Sequence, residues 1–457
     1  MAFGAILERF IEMSPIPVMV RALLERVLTA EKLESCFENV AEKQYTRELL
    51  FSSLFELMSL VVTKTFSSIN AAYQSRKVDI GVSITSIYNK LNGLETGVSA
   101  ALVQDTAREM SDMVYQLKGE CAPLLPGFRV KMLDGNCIKA TEHRLKVLRD
   151  NAAGALPGKS LVLYDPALEM ATHVFPCEDG HAQERSLLSS VLNVFETGDV
   201  IIMDRNFCVR TFLFGTAARG AFSICRHHKQ MPYVELDELK RVGDIETGEV
   251  SEQWIEIENE DGTKAKWRRI VIRLEKPTRD REWEIAILAN LPESVADAKL
   301  VAKLYRKRWT IETMFQELEA YLQSEINTLG YPKAALFGFC VALVAYNVMA
   351  VVKAGMRAVH GEEKIANEVS GYYIAGEIGR THEGMAVAIL PQEWEVFQTM
   401  KSEAFIAIFL RMAGNVKIEK YKKHKRGPKK ALPKRAASQG KPHVSTAKLL
   451  KEIKKSP

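Results

Sequence analysis

The sequence predicts an α/β fold. A mixed sheet is flanked by helices, with a β-rich insertion, an all-helical N-terminal domain and a helical C-terminal region ending in a basic tail. Three observations carry this expectation. Apolar residues recur at helical spacing up to about residue 125, where Pro and Gly are sparse. From Pro126 the period changes to two, and short apolar runs interleave with amphipathic segments. Beyond residue 330 helical patterning returns, until a stretch from Lys417 to Pro457 carries 15 Lys and Arg against only Glu419 and Glu452.

In the first region, Leu49 to Phe66 has apolar residues at helical spacing. Gly81 to Glu95 reads as a turn and a short helix capped by Ser83, with Ile84, Ile87 and Leu91 inward and Ser86, Tyr88, Asn89 and Lys90 outward. That pattern suits the second helix of a helix-turn-helix, and equally an ordinary amphipathic helix. Phe128, Val130, Met132 and Asp134 alternate with Arg129, Lys131 and Leu133, which marks a strand. Strands are expected at Ser160 to Pro166 and Met170 to Pro176, and an amphipathic helix at Ala182 to Glu196. Val200 to Met203 is a continuous apolar run after a Gly-Asp turn, as expected of a central parallel strand buried on both faces. A helix to about Arg219 and a strand at Ala221 to Cys225 follow.

From His227 to about 284 two alternating runs joined by Glu-Asp-Gly predict a hairpin-containing insertion. Another strand is expected within Arg281 to Pro292, then one long helix from Asp297 to Leu329. The expected divisions are 1–125, 126–330 (interrupted by 227–284), 331–415 and a disordered basic tail, 416–457.

Composition narrows the function classes. A chain of 457 residues with 47% hydrophobic and 26% charged residues is ordinary globular material. Seven scattered cysteines give no disulfide framework and point to a reducing compartment. The net charge of +5 divides into about +13 in the tail and −8 in the body, which suggests a polyanionic partner. Ala334 to Val352 is long enough to span a bilayer, but its Ala, Gly and Cys content fits a buried core helix better, so no membrane partner is expected. Walker-type and GxGxxG loops are absent, and so is a Ser-centred nucleophile elbow.

Asp134 and Asp204 each end a predicted strand, where α/β sites form. Paired at one sheet edge they would repel, and a divalent cation such as magnesium or manganese would offset that repulsion. Each Asp is also accounted for as a turn or helix cap. Tyr305, Arg308, Glu312 and Glu319 step by three, four and seven and would line one helix face, although Arg308 and Glu312 also make sense as a surface pair. Asp165 reads as a turn residue or a substitute ligand. His173, Cys177 and His181 lack zinc spacing, and His227, His228 and Lys229 read as a loop.

The ordered set of Leu-Asp-Gly at Asp134, Ile-Ile-Met-Asp-Arg-Asn-Phe at Asp204 and Tyr305–Arg308–Glu312 after a β insertion resembles the DDE transposases of the insertion-sequence-four family. The resemblance covers about Ile80 to Val352. The family pattern continues with Lys seven residues after the Glu, where this chain has Glu319. The resemblance implies an RNase H-like catalytic domain in which Asp134, Asp204 and Glu312 are catalytic and bind two Mg2+ or Mn2+ ions about 3.5–4 Å apart. It implies DNA contacts by Tyr305 and Arg308, and a flipped base stacked on a Trp. The candidates are Trp254, Trp267 and Trp283, led by Trp283, 29 residues before Glu312.

The implied activity is cut-and-paste transposition of an insertion sequence: binding of terminal inverted repeats, nicking, hairpin formation and strand transfer to target DNA. A homodimer would synapse the two ends, in a prokaryotic cytoplasm at the nucleoid. A catalytically inactive DNA-binding relic and a metal-dependent DNA nuclease are the alternatives.

Overall fold

The architecture comes from a computed structural model that describes residues 3–42, 48–139, 141, 145–149, 154–278, 281–424 and 443–455. The chain opens with α1 (Ala5–Met13), α2 (Pro15–Val27), α3 (Ala30–Val40), α4 (Phe51–Val62), α5 (Ile69–Ile80), α6 (Ile84–Gly93) and α7 (Thr96–Leu117). Local signals set several of their ends. Thr29, Ser68 and Ser83 each cap a helix by accepting a backbone N–H three residues on, and Gly81 at φ +68° closes α5 in the left-handed region. On α6 Ile87 and Leu91 are buried and Ser86 and Asn89 exposed, while the Lys90 ammonium donates to the Leu49 carbonyl.

The sheet elements follow: β1 (Arg129–Cys137), α8 (Lys146–Arg149), β2 (Ala155–Leu156), β3 (Lys159–Asp165), β4 (Met170–Cys177), α9 (Leu188–Leu192), β5 (Asp199–Met203), α10 (Arg210–Ala218) and β6 (Phe222–Arg226). Then come β7 (Val234–Glu235), β8 (Lys240–Ile245), β9 (Gly248–Glu258), β10 (Lys264–Leu274) and β11 (Glu284–Ala289). The principal sheet runs β4-β3-β1-β5-β6-β11-β10-β9-β7, with β8 also on β9. β5 lies parallel to both β1 and β6, in the central position its unbroken apolar run predicts. β11 pairs antiparallel with β6 and with β10, so the insertion extends the same sheet. This mixed sheet flanked by helices agrees with an RNase H-like α/β fold.

The pleat divides the core. Val130, Met132, Val200 and Ile202 face one side, and Leu133, Ile201 and Met203 the other, with α9 and α10. The first side receives α11 (Ala298–Arg306), α12 (Trp309–Tyr321) and α13 (Pro332–His360). α14 (Glu362–Glu368), α15 (Gly371–Ala388), α16 (Pro391–Thr399) and α17 (Ser402–Gly414) complete the helical region. α13 is the one helix among the described residues long and apolar enough to cross a membrane, and it is buried against α4, α7, α17 and β4. Asn347, one of its buried polar residues, donates to the Ala171 carbonyl at 2.8 Å and accepts the Ala171 N–H at 2.9 Å, which fastens the helix to β4.

Three elements differ from expectation. The helix expected over Ala182 to Glu196 is a 3-10 turn at Glu184–Leu187 followed by the short α9. The long helix expected from Asp297 to Leu329 breaks at Lys307–Arg308 and ends at Tyr321. At the break Lys307, Arg308, Thr310 and Ile311 bond three residues back instead of four, which tightens the turn. The basic tail, expected to be disordered, is ordered at its end: β12 (Val444–Ser445) pairs in parallel with β2, and α18 (Thr446–Lys455) follows. A backbone pair to β2 supplies the order that the charge run by itself would not.

Candidate active site

Asp134 sits in β1 and Asp204 immediately after β5, its parallel neighbour. The pairing Leu133↔Met203 makes the two carboxylates adjacent at the carboxyl edge of the sheet, on the same face. Glu312 comes from the first turn of α12, which packs on β1. Arg308 joins them, donating from Nη1 to Asp134 Oδ2 at 2.8 Å and from Nη2 to Glu312 Oε1 at 2.7 Å. Its side chain is 10% exposed, against 19% for Asp134 and 35% for Glu312, so this pairing is more than a solvated surface contact. The break between α11 and α12 is what aims the guanidinium at both acids.

The electrostatics leave the cluster short of positive charge. Burial pushes the Asp134 carboxyl up; Arg308 and the Gly135 N–H at 2.8 Å hold it down, and Asp204 and Glu312 push it up again, to about 6. Burial works against the Arg308 charge, but Asp134, Tyr305, Asp204 and Glu312 together more than offset it. Tyr305 is buried at the end of α11, and burial with the Asp204 charge holds its hydroxyl in the protonated form. Cys225 of β6 donates its thiol to the Asp204 carbonyl at 3.5 Å, which ties the second acid to the neighbouring strand.

Three carboxylates with no nitrogen or sulfur donor form the kind of set that hard divalent cations take. As they stand, no three His, Cys, Asp or Glu side chains among the described residues are placed to hold an ion, since Arg308 occupies the space between Asp134 and Glu312. The donor chemistry and the anionic excess fit a cation once that guanidinium turns aside.

The remaining candidates separate clearly. Trp283 is 59% exposed just before β11, Trp254 is partly exposed on β9, and Trp267 is buried in β10. Asp165 lies at the other end of the sheet, where it accepts the Ala167 and Leu168 N–H groups as a turn residue. His173, Cys177 and His181 form no ligand cluster, and His227 to Lys229 form a loop after β6. Glu319 pairs with Lys139, which follows β1 and also lies 3.8 Å from Glu325.

Three neighbours of the site carry no periodic signal in the sequence. Trp309, 64% exposed, follows Arg308 directly. Glu184 lies so close to Gly135 that a Cβ there would collide with its carboxylate. Glu282, next to Trp283, bridges Arg226 and Arg205, the latter at 3.3 Å. Adjacency to Arg308 and Trp283 in the chain is the only hint the sequence offers for Trp309 and Glu282, and for Glu184 it offers none.

A search of curated proteins gives no match to the chain. Residues 129–348 match the Transposase DDE domain family, a span that begins at β1, includes all three carboxylates and ends within α13. The match covers a little under half of the chain, and this likeness to a DDE transposase domain supports a transposase function.

Proposed function

We propose that the protein is a cut-and-paste transposase of the insertion-sequence-four type, with Asp134, Asp204 and Glu312 as its catalytic carboxylates. The observation that carries this reading is that the buried Arg308 bridges Asp134 and Glu312 while Asp204 stands beside Asp134 across the β1–β5 pair. Two Mg2+ or Mn2+ ions held by these carboxylates would activate the attacking oxygen and stabilise the leaving one. Phosphoryl transfer asks the protein mainly for positioning and charge neutralisation. Arg308, displaced from the acids, and Tyr305, a protonated donor, are suited to hold phosphate oxygens.

In the first step water attacks the phosphorus at the element boundary and the 3′-oxygen leaves as a hydroxyl. That hydroxyl then attacks the opposite strand to form a hairpin, which is hydrolysed before strand transfer to target DNA. Trp283 offers an exposed face for a base displaced at the hairpin. α6 and the other N-terminal helices would read the terminal inverted repeats, and a homodimer would synapse two ends. The reading puts the protein on the nucleoid of a prokaryotic cytoplasm.

The test uses the full chain with a labelled duplex carrying the element's own end, with and without Mg2+. Metal-dependent nicking at the boundary followed by a hairpin product is the expected result. Binding without cleavage in Mg2+ or Mn2+ would instead support a DNA-binding relic, the reading that Glu319 in the family's Lys position favours. Cleavage without end joining would support a nuclease.

A further inference from the structure

The C-terminal helix is fastened to the catalytic unit at three points. Val444 and Ser445 pair with Ala155 and Leu156, and the Val444 N–H donates to the Gly154 carbonyl at 3.1 Å. α18 packs against α8, with Thr446 and Ala447 buried. Lys448 lies 3.4 Å from Asp179 in the segment after β4, and that segment contacts β2 where Gly180 meets Leu156.

This anchorage stands on the same ribbon as the site. β1 and β3 pair from Asp134↔Val162 to Cys137↔Lys159, and the ribbon continues to the Thr141↔Ala155 bridge. Asp134 and Thr141 are seven positions apart, so the anchor lies at most about 25 Å from the acids along the ribbon. Duplex DNA engaged at the acids covers that distance in about seven base pairs. The helix presents Lys448 and Lys451, both exposed, with a single acid, Glu452.

We propose that α18, docked through β12 onto β2, is a phosphate-binding surface for the DNA flanking the cut. The inference rests on the transposase reading and adds a fixed position to what composition describes only as a basic tail. A cationic helix pinned beside the acids adds contacts without the ordering cost of a free segment. It carries no base readout, so its contribution is sequence-independent and salt-sensitive.

The experiment measures binding of the full chain to a labelled duplex of arbitrary sequence over a range of salt, with end nicking of the unaltered protein in parallel. Replacing Lys448 and Lys451 by Gln is expected to reduce the slope of log affinity against log salt by about 1–2, because each phosphate that the helix neutralises accounts for about 0.9 of that slope. Val444→Pro keeps every charge but removes the N–H that holds β12; it should weaken binding several-fold and open the segment to protease.

Unchanged slopes in the Lys variant overturn the proposal. So does a Lys variant that weakens while Val444→Pro binds normally, because the phosphates are then held by an undocked tail. Circular dichroism of the Lys variant matching the unaltered protein excludes misfolding as the cause. If the unaltered protein neither binds nor nicks DNA, the transposase reading itself fails, which is a separate outcome.

Discussion

The two ends of β1 and β5 hold carboxylates in opposite conditions. At the start of β5, Asp199 is fully buried, yet it accepts from Lys131 Nζ and Arg129 Nε at 2.8 Å each and from the Glu196 N–H at 2.9 Å. At the far end, Asp134 and Glu312 share one guanidinium with Asp204 beside them, and the Asp134 carboxyl is pushed to about 6. The same strands thus carry one acid matched by its neighbours and three acids left in excess. A matched buried ion pair serves the fold. An under-neutralised cluster costs stability and is expected where charge is to be supplied from outside.

Alanine substitutions should divide the two ends most sharply. Asp134→Ala, Asp204→Ala or Glu312→Ala is expected to lower nicking by roughly a thousandfold or more while the protein still melts cooperatively and binds DNA. Asp199→Ala strands Lys131 without its partner and is expected to cost about 3–5 kcal/mol in denaturant unfolding. Full nicking by any of the first three removes that residue from the catalytic set.

The pH dependence sharpens the same contrast. The Asp134 carboxyl lies above its ordinary 3.8 in the folded protein, so its contribution to stability is complete below about pH 4 and is lost as pH rises through about 6. Without divalent ions, Asp134→Asn should therefore equal the unaltered protein at low pH and exceed it by about 1–3 kcal/mol above pH 7. Mg2+ or Mn2+ should stabilise the unaltered protein near neutral pH and the Asn variant much less. Parallel curves for the two proteins across this range would refute the charge excess.

A second pair contrasts tryptophans within the insertion. Trp267→Ala empties a buried site and should cost about 3–5 kcal/mol. Trp283→Ala should change stability by less than about 0.5 kcal/mol and impair hairpin formation more than first-strand nicking. Equal loss at both steps would assign Trp283 a general role in holding the site.

The smallest effect is expected at Glu319. Both it and Lys139 are more than half exposed, so their pair is worth under about 1 kcal/mol. Glu319→Lys opposes two ammonium groups and should lower stability by tenths of a kcal/mol, with Lys139→Glu in the same chain restoring it. A rise in nicking with Glu319→Lys alone would mean that the helix lysine of the family pattern is missed in this chain.

Much of this was legible from residue order. The alternation through Phe128 to Asp134 and the apolar run Val200 to Met203 identify β1 and β5, because burial on one or two faces leaves period-two or continuous patterns. The Glu-Asp-Gly turn locates the β9–β10 hairpin, since the turn itself requires such residues. The same local logic overextended two helices. Amphipathic spacing over Ala182 to Glu196 and Asp297 to Leu329 says nothing about where tertiary contacts interrupt a helix.

The sequence by itself determined the α/β class and the central strand, because each is written in local periodicity, while the three acids are singled out by a resemblance and not by spacing. Only the tertiary structure decided that Arg308 turns inward to span Asp134 and Glu312, that Trp267 is core while Trp283 is exposed, and that the basic tail returns to pair with β2. Those features depend on contacts between residues up to hundreds of positions apart. No window of sequence contains the packing that selects one rotamer, one exposure or one strand partner over another.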